Sequence, residues 1–177
     1  LVSPATLPLN QWVHLAVSIE GTTASLYVDG VAVVSGSIYS PNLVERTVNY
    51  FAKNNWEGGY FDGQMDEFRL WDRSLSAAEI NATKNTKLTG DEADLLLYYD
   101  FDDDIDGMAT NKGSLDISDY VDESPHNGVF TNGSKTLPST SPVEVPEGHE
   151  SRTLELSGRD EYVEIPPITF GGDLTFE

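Results

Sequence analysis

Cysteine is absent from this chain, histidine occurs three times, and ten basic residues stand against thirty acidic ones. Without cysteine there is no disulfide framework and no thiolate for catalysis or metal binding. His14, His126 and His149 form no pair at metal-ligand spacing, so no zinc site is expected. A net charge of −20 argues against nucleic acid as a partner, because a binder must neutralise phosphates with Lys and Arg. Cations are the expected small partners. No apolar run approaches the length of a membrane span, so no membrane insertion is expected. No signal peptide is visible, although Leu1 is not an initiator Met and the chain reads as an excerpt.

What is present is punctuation: 15 Gly and 9 Pro among short β-branched and aromatic runs, over 177 residues. That pattern predicts an all-β chain, either one domain or two incomplete ones, with helix a minority. Trp12 to Glu20 alternates, and the set Val13, Leu15, Val17 and Ile19 reads as the core face, which leaves His14 outward. Ser25 to Val28 and Val31 to Val34 flank Asp29-Gly30, a dipeptide that readily supplies the positive φ angles of a type I′ hairpin. Ile38 to Glu45 reads as a loop and Arg46 to Lys53 as a strand. Leu95 to Phe101, Thr153 to Leu156 and Tyr162 to Pro166 also read as strands. Leu26, Val28, Phe68, Leu70, Leu97, Leu156 and Val163 complete the predicted core.

The stretch from Asp62 to Ile80 organises the rest. A turn at Asp62-Gly63 feeds a strand whose alternation breaks once, and Ser76-x-x-Glu79 is a capping box that opens a short helix near Ser76 to Thr83. The break sets Asp66 beside Glu67. One of the two must then face the core, which is costly unless a cation or a hydrogen-bond donor meets it.

The run Gly63-x-Met65-Asp66-Glu67-Phe68-Arg69-Leu70-Trp71, leading into Leu75-Ser76-x-x-Glu79-Ile80, resembles the closing segment of concanavalin A-like, laminin-G-like domains. Leu9-Asn10-Gln11-Trp12-Val13-His14-Leu15-Ala16-Val17 and Leu26-Tyr27-Val28-Asp29-Gly30-Val31 are similar to the strands that precede it in that family. The resemblance implies a two-sheet antiparallel jelly-roll sandwich with one short helix. It runs in rotated order: residues 1–88 resemble the C-terminal half of such a domain and residues 89–177 its N-terminal part. The expectation is one permuted or strand-complemented sandwich. Leu1 to Asn10 and Asp173 to Glu177 would be the segments free to enter a neighbouring copy.

The resemblance also implies a structural Ca²⁺ held by Asp66, Asp122, Ser124 and Asn127, an oxygen-rich set of the kind Ca²⁺ takes. The alternative reading of these residues is an Asx-type turn at Asp122 with Asp66 facing solvent. Asp102, Asp103, Asp104 and Asp106 read as a solvated acidic loop, since they lack the spacing and closing Glu of an EF-hand. Asn54, Asn55, Trp56 and Tyr60, with Tyr39 and Glu57 nearby, combine aromatic faces and amides in the manner of a sugar site; a loop Trp also packs under neighbouring loops. Asn81-Ala82-Thr83 and Asn132-Gly133-Ser134 are glycosylation sequons suited to a secreted or cell-surface protein. No enzyme is expected: hydrolases on this fold carry a Glu-x-Asp-x-x-Glu strand that the chain lacks, and Glu155, Glu161 and Glu164 occupy ordinary outward positions. Two functions remain. One is a calcium-stabilised extracellular module for carbohydrate or protein binding and adhesion. The other is a structural repeat that assembles head to tail into a filament or surface array.

Overall fold

The computed structural model describes residues 1–56, 58–105, 107–114, 127–132, 134–144 and 151–177. Strands run in the order β1 Leu15–Glu20, β2 Thr23–Val28, β3 Val31–Ser37, β4 Val44–Arg46, β5 Asn49–Phe51, β6 Asp62–Met65 and β7 Phe68–Trp71. Helix α1, Ala77–Thr83, follows. Then come β8 Leu95–Tyr99, β9 Asp104–Ile105, β10 Met108–Ala109, β11 Gly128–Thr131, β12 Lys135–Pro138, β13 Arg152–Ser157, β14 Tyr162–Ile165, β15 Ile168–Phe170 and β16 Leu174–Phe176.

These strands form an antiparallel β-sandwich. One layer is the six-stranded sheet β3-β2-β1-β16-β7-β8. Facing it are the sheets β5-β14-β11-β10-β9 and β12-β13-β6, with β15-β4 as a two-stranded extension. The Asp29-Gly30 hairpin forms as expected, with φ of 51° and 78°. The capping box also forms: Glu79 N–H donates to Ser76 Oγ, and the Ser76 N–H donates to the Glu79 carboxylate. The Glu79 carboxyl is held down at about 2 by its hydrogen bonds to Ser76 and Arg73.

Strands from both ends of the sequence alternate within the layers. β16 lies between β1 and β7, β13 pairs with β6, β14 with β5, and β15 with β4. This differs from the expectation that Asp173 to Glu177 is free to leave. Residues Leu174–Phe176 are paired on both edges, so pulling them out breaks two ladders of backbone hydrogen bonds.

Two apolar clusters sit on opposite faces of the six-stranded sheet. Between the layers lie Leu70, Leu97, Tyr99, Phe101, Leu154, Leu156, Val163 and Leu174. On the outer face, Ile80 of α1 and Leu75 cover Ala16, Tyr27, Trp71, Leu95 and Tyr98. This second cluster corrects the reading of β1 and β2. Ala16 and Ser18 are buried, whereas of the residues expected inside in this region only Ile19 is buried, Val13, Val17, Leu26 and Val28 are half-buried and Leu15 is 41% exposed. The reason is local: the segment leading into α1 docks on the small residues, where Ser18 Oγ donates to the Leu75 carbonyl and accepts from the Leu75 N–H. Residue size therefore misled the choice of inward face. His14 lies on this covered face as well.

Candidate functional site

The Asp66-Glu67 pair is the point where the chain crosses between layers, since β6 belongs to the β12-β13-β6 sheet and β7 to the six-stranded one. Glu67 takes a left-handed φ of 56°, an uncommon conformation for a side chain of this size, and this turns the two carboxylates in different directions. Glu67 meets Arg69, whose Nη2 donates to Oε2 at 2.9 Å, and Tyr98, whose hydroxyl donates to the same oxygen at 2.8 Å. Arg69 also donates to the carbonyls of Thr83 and Thr86 and lies 3.8 Å from Glu177 Oε2, which in turn accepts from Trp71 Nε1. Burial is the main cause of the raised Glu67 and Glu177 carboxyls, and Arg69 opposes it at both. His14 is lowered to about 4 by burial first, then by the charges of Arg69 and Lys84. The whole knot ties β7, β8, the end of α1 and the last residue together.

Asp66 is less well served. Ser139 Oγ donates to Oδ2 at 2.8 Å, but Oδ1 is buried without a hydrogen bond, as is the neighbouring Ser141 Oγ. Burial pushes the Asp66 carboxyl up to about 7; the Ser141 and Ser139 hydroxyls pull it down, and the charges of Glu67 and Asp102 add to the rise. Asp66 thus does not face solvent. Of its expected calcium co-ligands, Asp122 and Ser124 lie outside the described residues, and Asn127 Oδ1 accepts from the Asn111 N–H. Among the described residues, no group of three or more His, Cys, Asp or Glu is arranged to hold a metal.

The acidic run after β8 is ion-paired, where a solvated loop was expected. Asp100, 1% exposed, meets Lys87 at 3.0 Å and Lys112 at 2.6 Å, Asp102 contacts Lys87, and Lys112 reaches Asp103 at 2.7 Å. Asp104 falls in β9, and Asp106 lies outside the described residues. Two lysines with raised pKa, held by these carboxylates against the opposing effect of burial, are the counter-ions, and they lie nine to fifteen positions away in the sequence.

The loop after β5 builds a concave surface. A β-bridge between Lys53 and Tyr60 closes it, Trp56 N–H donates to Asn54 Oδ1 at 2.9 Å, and Asn54 packs tightly against Gly59. The result is an open cavity of about 450 Å³ lined by Val48, Tyr50, Lys53, Asn55, Trp56, Gly58 and Tyr60. Asn55, Trp56 and Tyr60 of the expected ligand set line it. Asn54 instead shapes the loop, and Tyr39 is exposed elsewhere. Sequence reasoning missed Tyr50, Lys53 and Tyr162. The alternation of β5 and β14 was the available signal: Phe51 and Val163 point into the core, so Tyr50 and Tyr162 must share the outer face. Their rings pack edge to face at 5.3 Å, and the Lys53 ammonium lies over both.

At the sequons, Asn81 Nδ2 donates to the carbonyls of Gly30 and Ala77, and Asn132 Nδ2 donates to that of Asp160. No helix among the described residues is long and apolar enough to cross a membrane.

Residues 1–81 match the family described as the concanavalin A-like lectin/glucanases superfamily, in its laminin-G-like branch. The match covers 81 of the 177 residues and agrees with the resemblance that the strands and capping box of that segment carry, and the β-sandwich agrees with the fold it implied. No curated protein and no solved structure matches the chain. At the level of the family, residues 1–81 are similar to a carbohydrate- or protein-binding module.

Proposed function

We propose that this chain is a non-catalytic, extracellular carbohydrate-binding module whose sugar site is the cavity walled by Tyr50, Lys53, Asn55, Trp56 and Tyr60. The observation that carries this reading is Trp56, 81% exposed at the rim of a concave, aromatic-lined surface. A large indole left in water stabilises the fold little, whereas its face and the nearby amide suit the apolar and hydroxyl faces of a sugar ring. A glycan array probed with the wild-type chain and with Trp56→Ala tests it. Binding of any glycan that Trp56→Ala abolishes, with the melting temperature unchanged, supports the reading; binding indifferent to Trp56 removes the site from this loop. The sequons and the family support a position outside the cell, and the family supports adhesion as the role.

A second reading concerns calcium. Asp66 Oδ1 and Ser141 Oγ are buried oxygens that lie near each other but outside hydrogen-bond geometry, and hard oxygen donors are what Ca²⁺ takes, six to eight of them at about 2.3 to 2.6 Å. Asp66 and Ser141 would hold the ion, which would supply stability and no chemistry. Calorimetric titration with Ca²⁺ and melting curves with and without EDTA test this. An ion that binds only the folded chain raises the melting temperature by mass action.

A further inference from the structure

Among the described basic side chains, Lys53 is the one that lines the cavity. Arg69, Arg73, Lys87, Lys112 and Lys135 each face at least one carboxylate. Arg46, Lys84 and Arg152 donate to backbone carbonyls instead. Lys53 is in none of the ion pairs among the described residues either; its ammonium rests 4.2 Å from the centroid of Tyr50 and 4.3 Å from that of Tyr162. In a chain of net charge −20, a cation that lines the cavity with no carboxylate at ion-pair distance among the described residues is conspicuous. None of the seven described lining residues is acidic. Two ring faces hold the side chain in place and occupy only one side of the ammonium, which leaves N–H donors for an incoming acceptor.

Resting on the sugar-binding reading above, we infer that the cavity selects an acidic sugar, a hexuronate whose single carboxylate pairs with Lys53 while its ring lies against Trp56 or Tyr60. The charge of the surroundings sets the class. Glu164 stands opposite Tyr50 across the β14–β5 ladder, so it shares the outer face beside the cavity. A densely sulfated polymer would meet that charge and the field of the whole chain, whereas one carboxylate delivered to one ammonium meets a local partner within a Debye length. A neutral sugar would stack equally well but leave the ammonium unused.

The test compares matched pairs on the intact chain: methyl glucuronide against methyl glucoside, and methyl galacturonide against methyl galactoside, followed by tryptophan fluorescence and amide chemical shifts at low salt. At least one acidic member binds about tenfold tighter than its neutral partner, and the preference shrinks toward twofold in about 0.5 M salt as the pair is screened. Lys53→Gln brings the two members together, and Trp56→Ala weakens both. Equal affinity for acidic and neutral sugars, or a preference that survives Lys53→Gln, overturns the inference and leaves the sugar site standing. Failure of all four sugars to shift any resonance of the 53–60 loop overturns both.

Discussion

Among the described residues, two cations lie over tyrosine rings, and the rest of their surroundings sets them apart. Arg69 is 1% exposed, sits 5.8 Å from the Tyr98 centroid, and is committed to Glu67, to Glu177 and to the carbonyls of Thr83 and Thr86. Lys53 lies on the outer face of β5 and β14, over the rings of Tyr50 and Tyr162 and in none of the ion pairs among the described residues. The first site spends its charge inside the protein, where a planar guanidinium with five donors can satisfy several buried acceptors at once. The second keeps its charge available. A buried cation held by carboxylates and carbonyls, with its Nε alone left without a hydrogen bond, argues for architecture; a half-buried cation in a cavity without an ion pair argues for a ligand.

If that contrast is right, breaking the first site should have the largest effect on folding. Arg69→Ala leaves Glu67 and Glu177 buried without their cation, and losing one partner of a buried ionic network costs about 3 to 5 kcal/mol. Urea unfolding should show it directly. Leu70, the next residue, points to the opposite face and into the core between the layers at 1% exposure. Leu70→Ala should cost about 2 to 5 kcal/mol from lost burial and the cavity left behind. A smaller loss for Arg69→Ala than for a surface substitution would mean that the knot is incidental.

Asp66 lies between the two extremes, buried like Glu67 but with one oxygen unpartnered. Its folded pKa of about 7 exceeds the ordinary value of 3.8, so between those pH values the folded state holds a proton that the unfolded state has lost. Its contribution to stability therefore falls as pH rises from about 4 to about 7. His14 acts in the opposite direction: its folded pKa near 4 lies below 6.5, so stability falls as pH drops through that window. The two oppose each other between about pH 4 and 6.5, and a melting curve of the wild type alone would hide both. Comparing wild type with Asp66→Asn in EDTA cancels the histidine. The variant should gain on the wild type as pH rises, by about 1 to 3 kcal/mol at pH 8. In calcium the order should reverse if Asp66 holds the ion, because Asn offers it a weaker ligand.

The local signals that were legible in the sequence were those set by a few consecutive residues. Asp29-Gly30 and Ser76-x-x-Glu79 each specify their geometry through their own backbone and side chains, and both formed as read. The broken alternation at Asp66-Glu67 correctly marked an unusual place, although its meaning, a crossing between sheets with Arg69 and Tyr98 waiting for one carboxylate, depends on strands far apart in sequence. The inward face of β1 was misread for the same reason: Ala16 and Ser18 are buried by Leu75 and α1, which nothing in β1 itself reveals. The cavity was half legible. Trp56, Asn55 and Tyr60 fall within one loop, but Tyr50 and Tyr162 meet only through the β5–β14 pairing, and Lys53 acquires its meaning only from both rings.

The smallest expected effect on stability sharpens the contrast most. Trp56 contributes little buried area at 81% exposure, and Trp56→Ala should change the unfolding free energy by no more than about 0.5 kcal/mol. Lys53→Gln gives up two cation–π contacts but keeps a polar end on a similar stem, so its cost should stay near 0.5 to 1 kcal/mol. Both fall well below Arg69→Ala, even though Lys53 sits closer to its rings than Arg69 does to Tyr98. Proximity to an aromatic face would then not be what makes a cation structural; desolvation together with carboxylate and carbonyl partners would be. Side-by-side thermal melts of Arg69→Ala, Lys53→Gln and Trp56→Ala decide this. A loss at Lys53 as large as that at Arg69 would make Lys53 a structural clamp between β5 and β14, and the cavity would then lose its claim to a free cation.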